Sequence, residues 1–241
     1  MQDKQYSYIA EIYSHLMSTV DYKDWADYIL EICDGYKLNP EFVLELASGT
    51  GELANYLSNL FPKIIITDIS IEMLKQYSNK NRLSVCCDML AIPFEQKFDL
   101  VVSTFDSVNY LTNEKEIEKL FKEIKIVLSS KGIFTFDVSL EANSIANEKN
   151  LNREGEFNGI KYKQISKYSR EEKIHYNYFD LDLPNGIKLN EVHCQKIYDF
   201  NYYFEVINNC ELFVSECFDA FSFDDADEHS ERVQFIVKHI E

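Results

Sequence analysis

Two glycines set close together mark a segment able to hold a ligand. The run Glu45-Leu46-Ala47-Ser48-Gly49-Thr50-Gly51 contains two of only seven glycines in the 241-residue chain. Glycine lets a backbone turn sharply and lets a ligand lie against bare backbone. Residues 42–46 form an apolar run typical of a buried strand, and 52–59 predict a helix whose first N–H groups would point at the turn. The pattern therefore predicts a ligand site at a strand–helix turn.

Two classes of ligand are compatible with this turn. Gly49-Thr50-Gly51-Glu52-Leu53-Ala54 fits the relaxed dinucleotide pattern G-x-G-x-x-A, which is weak by itself. Asp68, at the end of the next predicted strand, can accept hydrogen bonds from ribose hydroxyls of either class. Three observations favour S-adenosylmethionine. Glu45 suits a cationic ligand better than a pyrophosphate, Asp88 follows the third strand where an adenine amino group would lie, and two helices precede the first strand. A nicotinamide-dependent oxidoreductase and a non-catalytic S-adenosylmethionine-binding protein remain the alternatives.

Strands and helices that alternate along the chain would position these residues. Strands are predicted at 42–46, 63–68, 83–87, 98–103 and 132–137, and helices at 52–59, from Ser70, and at 113–128. Asp21 and Ser70 are of the types that cap helix N-termini, so each predicts a helix start. This alternation predicts an α/β fold with a doubly wound, Rossmann-like sheet. A helix at 201–209 and strands at 211–218 and 232–240 complete seven strands, of which the last hairpin is antiparallel.

The periodicity changes to polar/apolar alternation from about residue 155, which predicts a small antiparallel β insertion. Pro184-Asn185-Gly186 indicates a tight hairpin turn, expected to be of type I′. The domain prediction is therefore a Rossmann-like domain of residues 1–150 and 199–241, with an insertion at 151–198 that serves as a lid or a dimer surface. Glu191, His193 and Gln195 share one face of a strand in this insertion. That face could line a substrate pocket, but a solvated or sheet-packing face is preferred.

The motifs together resemble those of class I S-adenosylmethionine-dependent methyltransferases, in order and in spacing. The resemblance rests on four segments: 45–51, Asp68-Ile69-Ser70 with Met73-Leu74, Cys87-Asp88-Met89, and 98–102. Five further segments look like those of a bacterial small-molecule branch: Tyr8 to Tyr13, Leu16-Met17, Asp21 to Trp25, 191–198 and 230–233. That branch is similar to amino-sugar N,N-dimethyltransferases and glycine N-methyltransferase. Ala47 departs from the glycine of many members.

The resemblance implies a role for each matched residue. Ala47 and Gly49 would contact the methionyl part through backbone, Asp68 would hold the ribose, and Thr104 would lie beside the methionyl amine. Ile69 and Met73 would flank the adenine, Asp88 and Met89 would meet its edge, and Tyr13 would close over the site. The predicted cofactor-binding set is Tyr13, Glu45, Ala47, Gly49, Gly51, Asp68, Ile69, Met73, Asp88, Met89 and Thr104.

The acceptor is predicted from the segment after the fourth strand, which should face the methyl group. Methyl transfer from a sulfonium mainly requires alignment of nucleophile and methyl carbon. Candidates for substrate contact are Asp106, Asn109, Tyr110 and His193, and no catalytic base is assigned. Related sugar-amine enzymes tend to place histidine near the position of Tyr110. A small-molecule amine is the preferred acceptor, because a carboxylate-rich pocket suits a cation.

Composition narrows the remaining possibilities. The net charge of −17 disfavours nucleic acid as a partner. No apolar run is long enough for a membrane span, the N-terminus shows no secretory signal, and the histidines and cysteines show no metal-site spacing. We therefore expect a cytoplasmic protein without a metal, with a small-molecule substrate and with a possible homodimer formed through the insertion.

Overall fold

The computed structural model describes residues 6, 8–79 and 82–240. The helices are α1 Ala10–Leu16, α2 Tyr22–Gly35, α3 Glu52–Leu60, α4 Ile71–Gln76, α5 Glu114–Val127, α6 Glu141–Asn150 and α7 Phe200–Asn209. The strands are β1 Val43–Glu45, β2 Ile64–Asp68, β3 Leu83–Cys86, β4 Phe98–Ser103, β5 Leu128–Ser139, β6 Arg153–Phe157, β7 Ile160–Ser169, β8 Ile174–Asp182, β9 Lys188–Lys196, β10 Leu212–Asp219 and β11 Arg232–His239. The first five residues, on which the secretory-signal prediction rests, lie outside the described residues.

A seven-stranded sheet forms the centre of the fold, in the order β10-β11-β5-β4-β1-β2-β3. Strands β1 to β5 pair in parallel, whereas β11 is antiparallel to both β5 and β10. The predicted α/β fold with seven strands and an antiparallel last hairpin is therefore confirmed. Side chains of α2 and α3 bury one face of the sheet, and those of α5 and α7 bury the other.

Two capping residues fix the starts of helices as the sequence predicts. The Asp21 carboxylate accepts hydrogen bonds from the backbone N–H groups of Lys23 and Asp24. The Ser70 hydroxyl accepts one from the backbone N–H of Met73. Each side chain satisfies N–H groups that have no partner inside the helix, so these helices begin at well-defined positions beside the sheet edge.

A separate four-stranded antiparallel sheet, in the order β6-β7-β8-β9, follows β5 and α6. An apolar cluster joins it to the N-terminal helix through Ile9, Ile12, Leu16, Ile160, Phe179 and Leu181. This packing holds α1 between the two sheets. The domain boundaries, and a role for residues 151–198 as lid or dimer surface, stay predictions.

One local prediction is wrong, and one helix was not predicted. The turn between β8 and β9 is not of type I′, because Gly186 has a positive φ of 82° and Asn185 does not. Proline at position 184 fixes a negative φ there, and the Gly186 N–H donates to the Leu183 carbonyl. Helix α6 was not predicted, because Ser144 is its only fully buried residue, so it carries no apolar stripe.

Candidate functional site

The turn after β1 is built from backbone that favours glycine. Ala47, Gly49 and Gly51 all have positive φ, at 52°, 57° and 75°. A Cβ on Gly49 would come within 3.2 Å of the Met73 side chain, and one on Gly51 would come within 2.2 Å of the Tyr77 ring. Glycine at 49 therefore keeps open the space beside Met73, whereas glycine at 51 permits close packing of α3 on Tyr77.

Asp68 ties this turn to the end of β2. Its Oδ2 accepts a hydrogen bond of 2.8 Å from the Gly49 backbone N–H, and its Oδ1 accepts one of 2.8 Å from the Ser70 N–H. Burial raises the pKa of Asp68, although these backbone donors oppose the shift. The carboxylate lies where both β2 and the turn end, at the carboxyl edge of the parallel sheet, which is where open α/β sheets bind ligands.

Glu45 is a second buried carboxylate beneath the turn. It is 2% exposed, and burial, with the nearby negative charge of Asp68, raises its pKa to about 8. Its Oε2 has no hydrogen-bond partner among the described residues. A buried carboxylate oxygen without a partner is costly, and a cationic group of a ligand would stabilise its ionised form.

A pocket at this edge collects most of the predicted cofactor residues. Nine of them line it: Tyr13, Glu45, Ala47, Gly49, Asp68, Ile69, Met73, Met89 and Thr104. Gly51 and Asp88 do not. Gly51 packs on Tyr77, and Asp88 is exposed and accepts a hydrogen bond of 2.8 Å from the Leu90 N–H. We call this the donor pocket. The binding roles of all eleven residues stay predictions.

A larger cavity of about 420 Å³ lies next to the donor pocket. We call it the acceptor cavity. Tyr6, Tyr13, Phe105 and Tyr110 line both spaces. The other lining side chains come from α1, α6, the second sheet and β11, and include Asn143, Arg153, Gln164, Asn177, Phe179, His193, Gln195 and Arg232. Aromatic rings therefore stand at the junction, and polar side chains line the cavity beyond it.

The backbone after β4 is strained at the junction. Phe105 and Asp106 have positive φ angles of 59° and 49°, a conformation that costs energy for residues other than glycine and that clusters at functional sites. The surrounding structure holds Asp106 in place. Its carboxylate accepts hydrogen bonds of 2.9 Å from Ser139 and from Gln195, and Arg232 lies 3.2 Å from it.

Arg232 also pairs with Asp137, a fully buried carboxylate of β5. Burial raises the pKa of Asp137, and the positive charge of Arg232 opposes that shift. Asp137 in turn accepts a hydrogen bond of 2.9 Å from the Asp106 backbone N–H. The three side chains form one ion cluster that fixes the strained turn against β5 and β11.

Of the four candidates for substrate contact, the structure brings three together. Asp106, Tyr110 and His193 line the acceptor cavity. Asn109 lies elsewhere. It is fully buried, and its amide donates to the Ser139 and Lys196 carbonyls and accepts from the Ser139 N–H. Asn109 does not line the acceptor cavity, and its amide is bonded to backbone, so its role in substrate contact stays a prediction.

The expectation of a solvated or sheet-packed face on β9 is wrong. Glu191, His193 and Gln195 are 4%, 2% and 8% exposed, and His193 and Gln195 line the acceptor cavity. Alternation along a strand shows which residues share a face, but it does not show what covers that face. The covering element is the N-terminal segment, whose Tyr8 and Ile9 backbone N–H groups donate to Glu191.

Tyr6, Arg153 and Arg232 line the acceptor cavity but were not predicted as site residues. Tyr6 and Arg153 lie outside the motifs of the turn, and Arg232 occurs in a segment noted only for its resemblance. The one available signal was charge: Arg232 directly precedes the largely apolar run 233–237, where an ionised side chain needs a partner. No group of three or more possible metal ligands was found in the described residues. No helix within the described ranges is long and apolar enough to cross a membrane.

Comparisons with known proteins agree with this geometry. A family described as a methyltransferase domain matches residues 43–132, the segment that carries the donor pocket. The candidate methyltransferase YqeM of Bacillus subtilis is 27% identical over 239 residues, which is 95% of each chain. A solved S-adenosylmethionine-dependent methyltransferase from Clostridium acetobutylicum is 26% identical, with a TM-score of 0.81, over 98% of this chain and 99% of the other.

A third solved structure is similar to this chain in fold alone. The sugar N-methyltransferase KedS8 from a Streptoalloteichus species is 14% identical, with a TM-score of 0.74, over 95% of this chain and 92% of its own. Glu45 and Asp68 both line the donor pocket, and the Glu45 Oε2 is buried without a hydrogen-bond partner among the described residues. The chain therefore contains a methyltransferase domain at residues 43–132 and shares the fold of a solved S-adenosylmethionine-dependent methyltransferase over nearly its whole length.

Proposed function

We propose that the chain methylates an amine nitrogen of a small molecule that also carries an acidic group. The observation that carries this proposal is the acceptor cavity, which joins the donor pocket at shared aromatic residues. Its volume of about 420 Å³ falls within the range of small-molecule sites, about 300–1,000 Å³. The junction is the position from which a nucleophile in the cavity would reach a methyl group in the donor pocket.

The charges and rings at the junction support nitrogen as the nucleophile. Glu45 and Asp68 line the donor pocket and Asp106 lines the acceptor cavity, so carboxylates stand on both sides. Tyr6, Tyr13 and Tyr110 surround the connection between them. Negative charge and aromatic faces both attract an ammonium group. An alcohol would gain nothing from this arrangement, since it carries no positive charge.

The environment of Arg153 favours an acceptor that carries an acidic group. Arg153 donates 2.7 Å and 2.8 Å hydrogen bonds to the Gln164 side chain and the Leu16 carbonyl. Burial lowers its pKa, and in the described part of the chain it has no ion-pair partner. A half-buried guanidinium on a cavity wall favours a carboxylate or phosphate ligand, because such a ligand offers a charge-assisted hydrogen bond.

The chain's own residues mainly align the two reactants. S-adenosylmethionine, when bound, supplies a methyl group on a positively charged sulfur. The turn 47–51 and Asp68 would hold the donor, and Arg153 would hold the acidic end of the acceptor. The ion cluster of Asp106, Asp137 and Arg232 keeps the wall between the two spaces in one conformation. Alignment of this kind converts a bimolecular step into an effectively unimolecular one.

A methyl-release assay with matched acceptors tests the proposal. The panel contains amino acids, the corresponding amines without the carboxylate, and the corresponding hydroxy acids. We expect the amino acids to have the highest kcat/KM and the hydroxy acids the lowest. Faster methylation of the hydroxy acids than of the amines would contradict nitrogen as the acceptor atom.

The variant Arg153→Gln separates the two features of the acceptor. We expect it to raise KM for amino acids about tenfold, because one hydrogen bond to a charged group is lost. KM for the amines that lack the carboxylate should stay within about twofold of the wild-type value. Equal changes for both sets would show that Arg153 only shapes the cavity.

A further inference from the structure

A chain of hydrogen bonds runs from the second sheet to the junction. Glu191 Oε1 lies 2.7 Å from His193 Nε2, and His193 Nδ1 lies 3.2 Å from the Tyr110 hydroxyl. The Tyr110 hydroxyl lies 2.5 Å from the Tyr6 hydroxyl. Tyr110 lines both the donor pocket and the acceptor cavity. We propose that Glu191, His193 and Tyr110 form a proton relay that acts as the general base for the acceptor.

Glu191 sets the direction of the relay. Its carboxylate is buried with His193, both side chains being 3% exposed. Burial alone would raise the pKa of Glu191, but hydrogen bonds from His193 and from the Tyr8 and Tyr6 backbone N–H groups lower it overall. An ionised Glu191 can only accept, so His193 carries its proton on Nε2. The Nδ1 lone pair is then free to accept from Tyr110.

Tyr110 is the group that touches the acceptor. Its hydroxyl donates to His193, so its remaining lone pairs face the junction. The Tyr6 hydroxyl occupies one position from which a proton donor reaches that oxygen. Burial raises the pKa of Tyr110 above its ordinary range, and Asp106 adds to the shift. The phenol therefore does not act as a base by itself. It donates its own proton to His193 while it accepts a proton from the acceptor.

The proposed step transfers one proton to the relay and one methyl group to the acceptor. An acceptor ammonium gives a proton to the Tyr110 oxygen while the Tyr110 proton moves to His193 Nδ1, and the resulting imidazolium is paired with Glu191. The freed amine lone pair then forms the nitrogen–carbon bond as the carbon–sulfur bond breaks, and the bonding electrons stay on sulfur. The imidazolium afterwards releases its proton to solvent.

The groups that face His193 come from four parts of the chain. Glu191 lies on its own strand, Tyr110 in the turn after β4, and Tyr6 in the N-terminal segment, whose ring centroid lies 4.3 Å from the imidazole. Phe179 of β8 packs on the same ring at 5.2 Å and does not titrate. Asp106 affects Tyr110 through its charge. None of these neighbours is a cation, so a protonated His193 meets only neutral or negative groups.

The pH dependence of catalysis tests the relay, which rests on the proposed amine acceptor. For Tyr110→Phe and His193→Gln we expect kcat at pH 7 to fall at least about 100-fold, the usual contribution of a general base. The loss should shrink above the pKa of the acceptor ammonium, where solution supplies the neutral amine. S-adenosylhomocysteine affinity should stay within about threefold. A loss of equal size at every pH would overturn the relay and indicate a structural role.

A histidine of the same sheet provides the matched control. His175 on β8 is 2% exposed and bonds Ser166 at 2.7 Å, and it lines neither the donor pocket nor the acceptor cavity. His175→Gln should keep the wild-type pH profile. A His175→Gln profile that matches His193→Gln would overturn the relay.

Nitrogen NMR on the ligand-free protein gives a readout that does not depend on activity. We expect His193 to show the Nε2-protonated tautomer in the wild-type protein and to lose this preference in Glu191→Gln. An Nδ1-protonated His193 in the wild-type protein would overturn the relay. If the wild-type enzyme methylates no amine, the proposed function fails separately, and the tautomer still reports on the relay.

Discussion

The donor pocket and the acceptor cavity are built in different ways. The donor pocket is made largely by the turn 47–51 and by Asp68, close in sequence, with backbone groups and two buried carboxylates. The acceptor cavity is made by side chains from α1, β9 and β11, which are far apart in sequence. A local turn can be the same for many acceptors, whereas the wall of the cavity depends on long-range packing. The predictions below test this difference.

The largest effect is expected from Arg232→Met. Arg232 compensates Asp106 and Asp137, whose side chains are 16% and 0% exposed. Removing one partner of a buried ion cluster leaves charges without compensation, so we expect the free energy of unfolding at pH 7 to fall by about 3–5 kcal/mol. Denaturant unfolding measures this, and the folded variant should still bind S-adenosylhomocysteine normally.

Two controls accompany this variant. The double variant Asp137→Asn/Arg232→Met should recover part of the loss, because it removes one of the two buried charges. Lys23→Met, which breaks an exposed ion pair with Asp27, should change stability by less than about 1 kcal/mol. A loss below about 1 kcal/mol for Arg232→Met would contradict the ion cluster as the support of the cavity wall.

The next effect is a pH dependence of donor binding that comes from Glu45. Its folded pKa of about 8 exceeds its ordinary value of 4.5, so the folded free protein binds more protons between these values, and its stability falls as pH rises through them. A cationic ligand favours the ionised carboxylate. Affinity for S-adenosylhomocysteine, which carries an ammonium group, should therefore rise toward pH 8, by at most about tenfold per pH unit.

Calorimetry between pH 6 and pH 8 measures this dependence. Glu45→Gln should bind with an affinity that is nearly independent of pH over this range, since the glutamine amide does not titrate. An equal slope for Glu45→Gln and the wild-type protein would show that another group controls donor binding.

The smallest effect is expected from Asp68→Ala. It removes a carboxylate placed to accept from ribose hydroxyls, so S-adenosylhomocysteine affinity should weaken by more than about 1 kcal/mol. Asp88→Ala is the matched control, because Asp88 follows the next strand but is exposed and outside the donor pocket. Unchanged affinity in Asp68→Ala would mean that the ribose binds elsewhere. A loss of affinity in Asp88→Ala would support contact between Asp88 and the adenine edge, the role that the resemblance implies.

The sequence could predict the donor pocket better than the acceptor cavity. The turn 47–51, the caps Asp21 and Ser70 and the succession of strands and helices along the chain depend on local signals, and the structure has each of them. The position of Asp68 follows from strand order, because the carboxyl ends of parallel strands meet at one edge.

The cavity wall could not be predicted in this way. Alternation grouped Glu191, His193 and Gln195 without showing that the N-terminal segment covers them. Asn109 was a reasonable polar candidate in the right turn, but backbone groups from β5 and β9 take its hydrogen bonds. The pairing of Arg232 with Asp106 joins residues 126 positions apart, and no local pattern indicates such a contact.

Tyr6 covers part of the donor pocket, and we expect this pocket to open before it is filled. The Tyr6 backbone N–H donates to Glu191, its carbonyl accepts from the Ser70 hydroxyl at 3.2 Å, and its side chain lines the pocket, whose volume is about 100 Å³. That space is below the usual size of a ligand site. The measured affinity is then the intrinsic affinity scaled by the open fraction. In stopped-flow experiments, the observed binding rate should level off at high S-adenosylhomocysteine concentration, at the rate at which Tyr6 leaves the donor pocket.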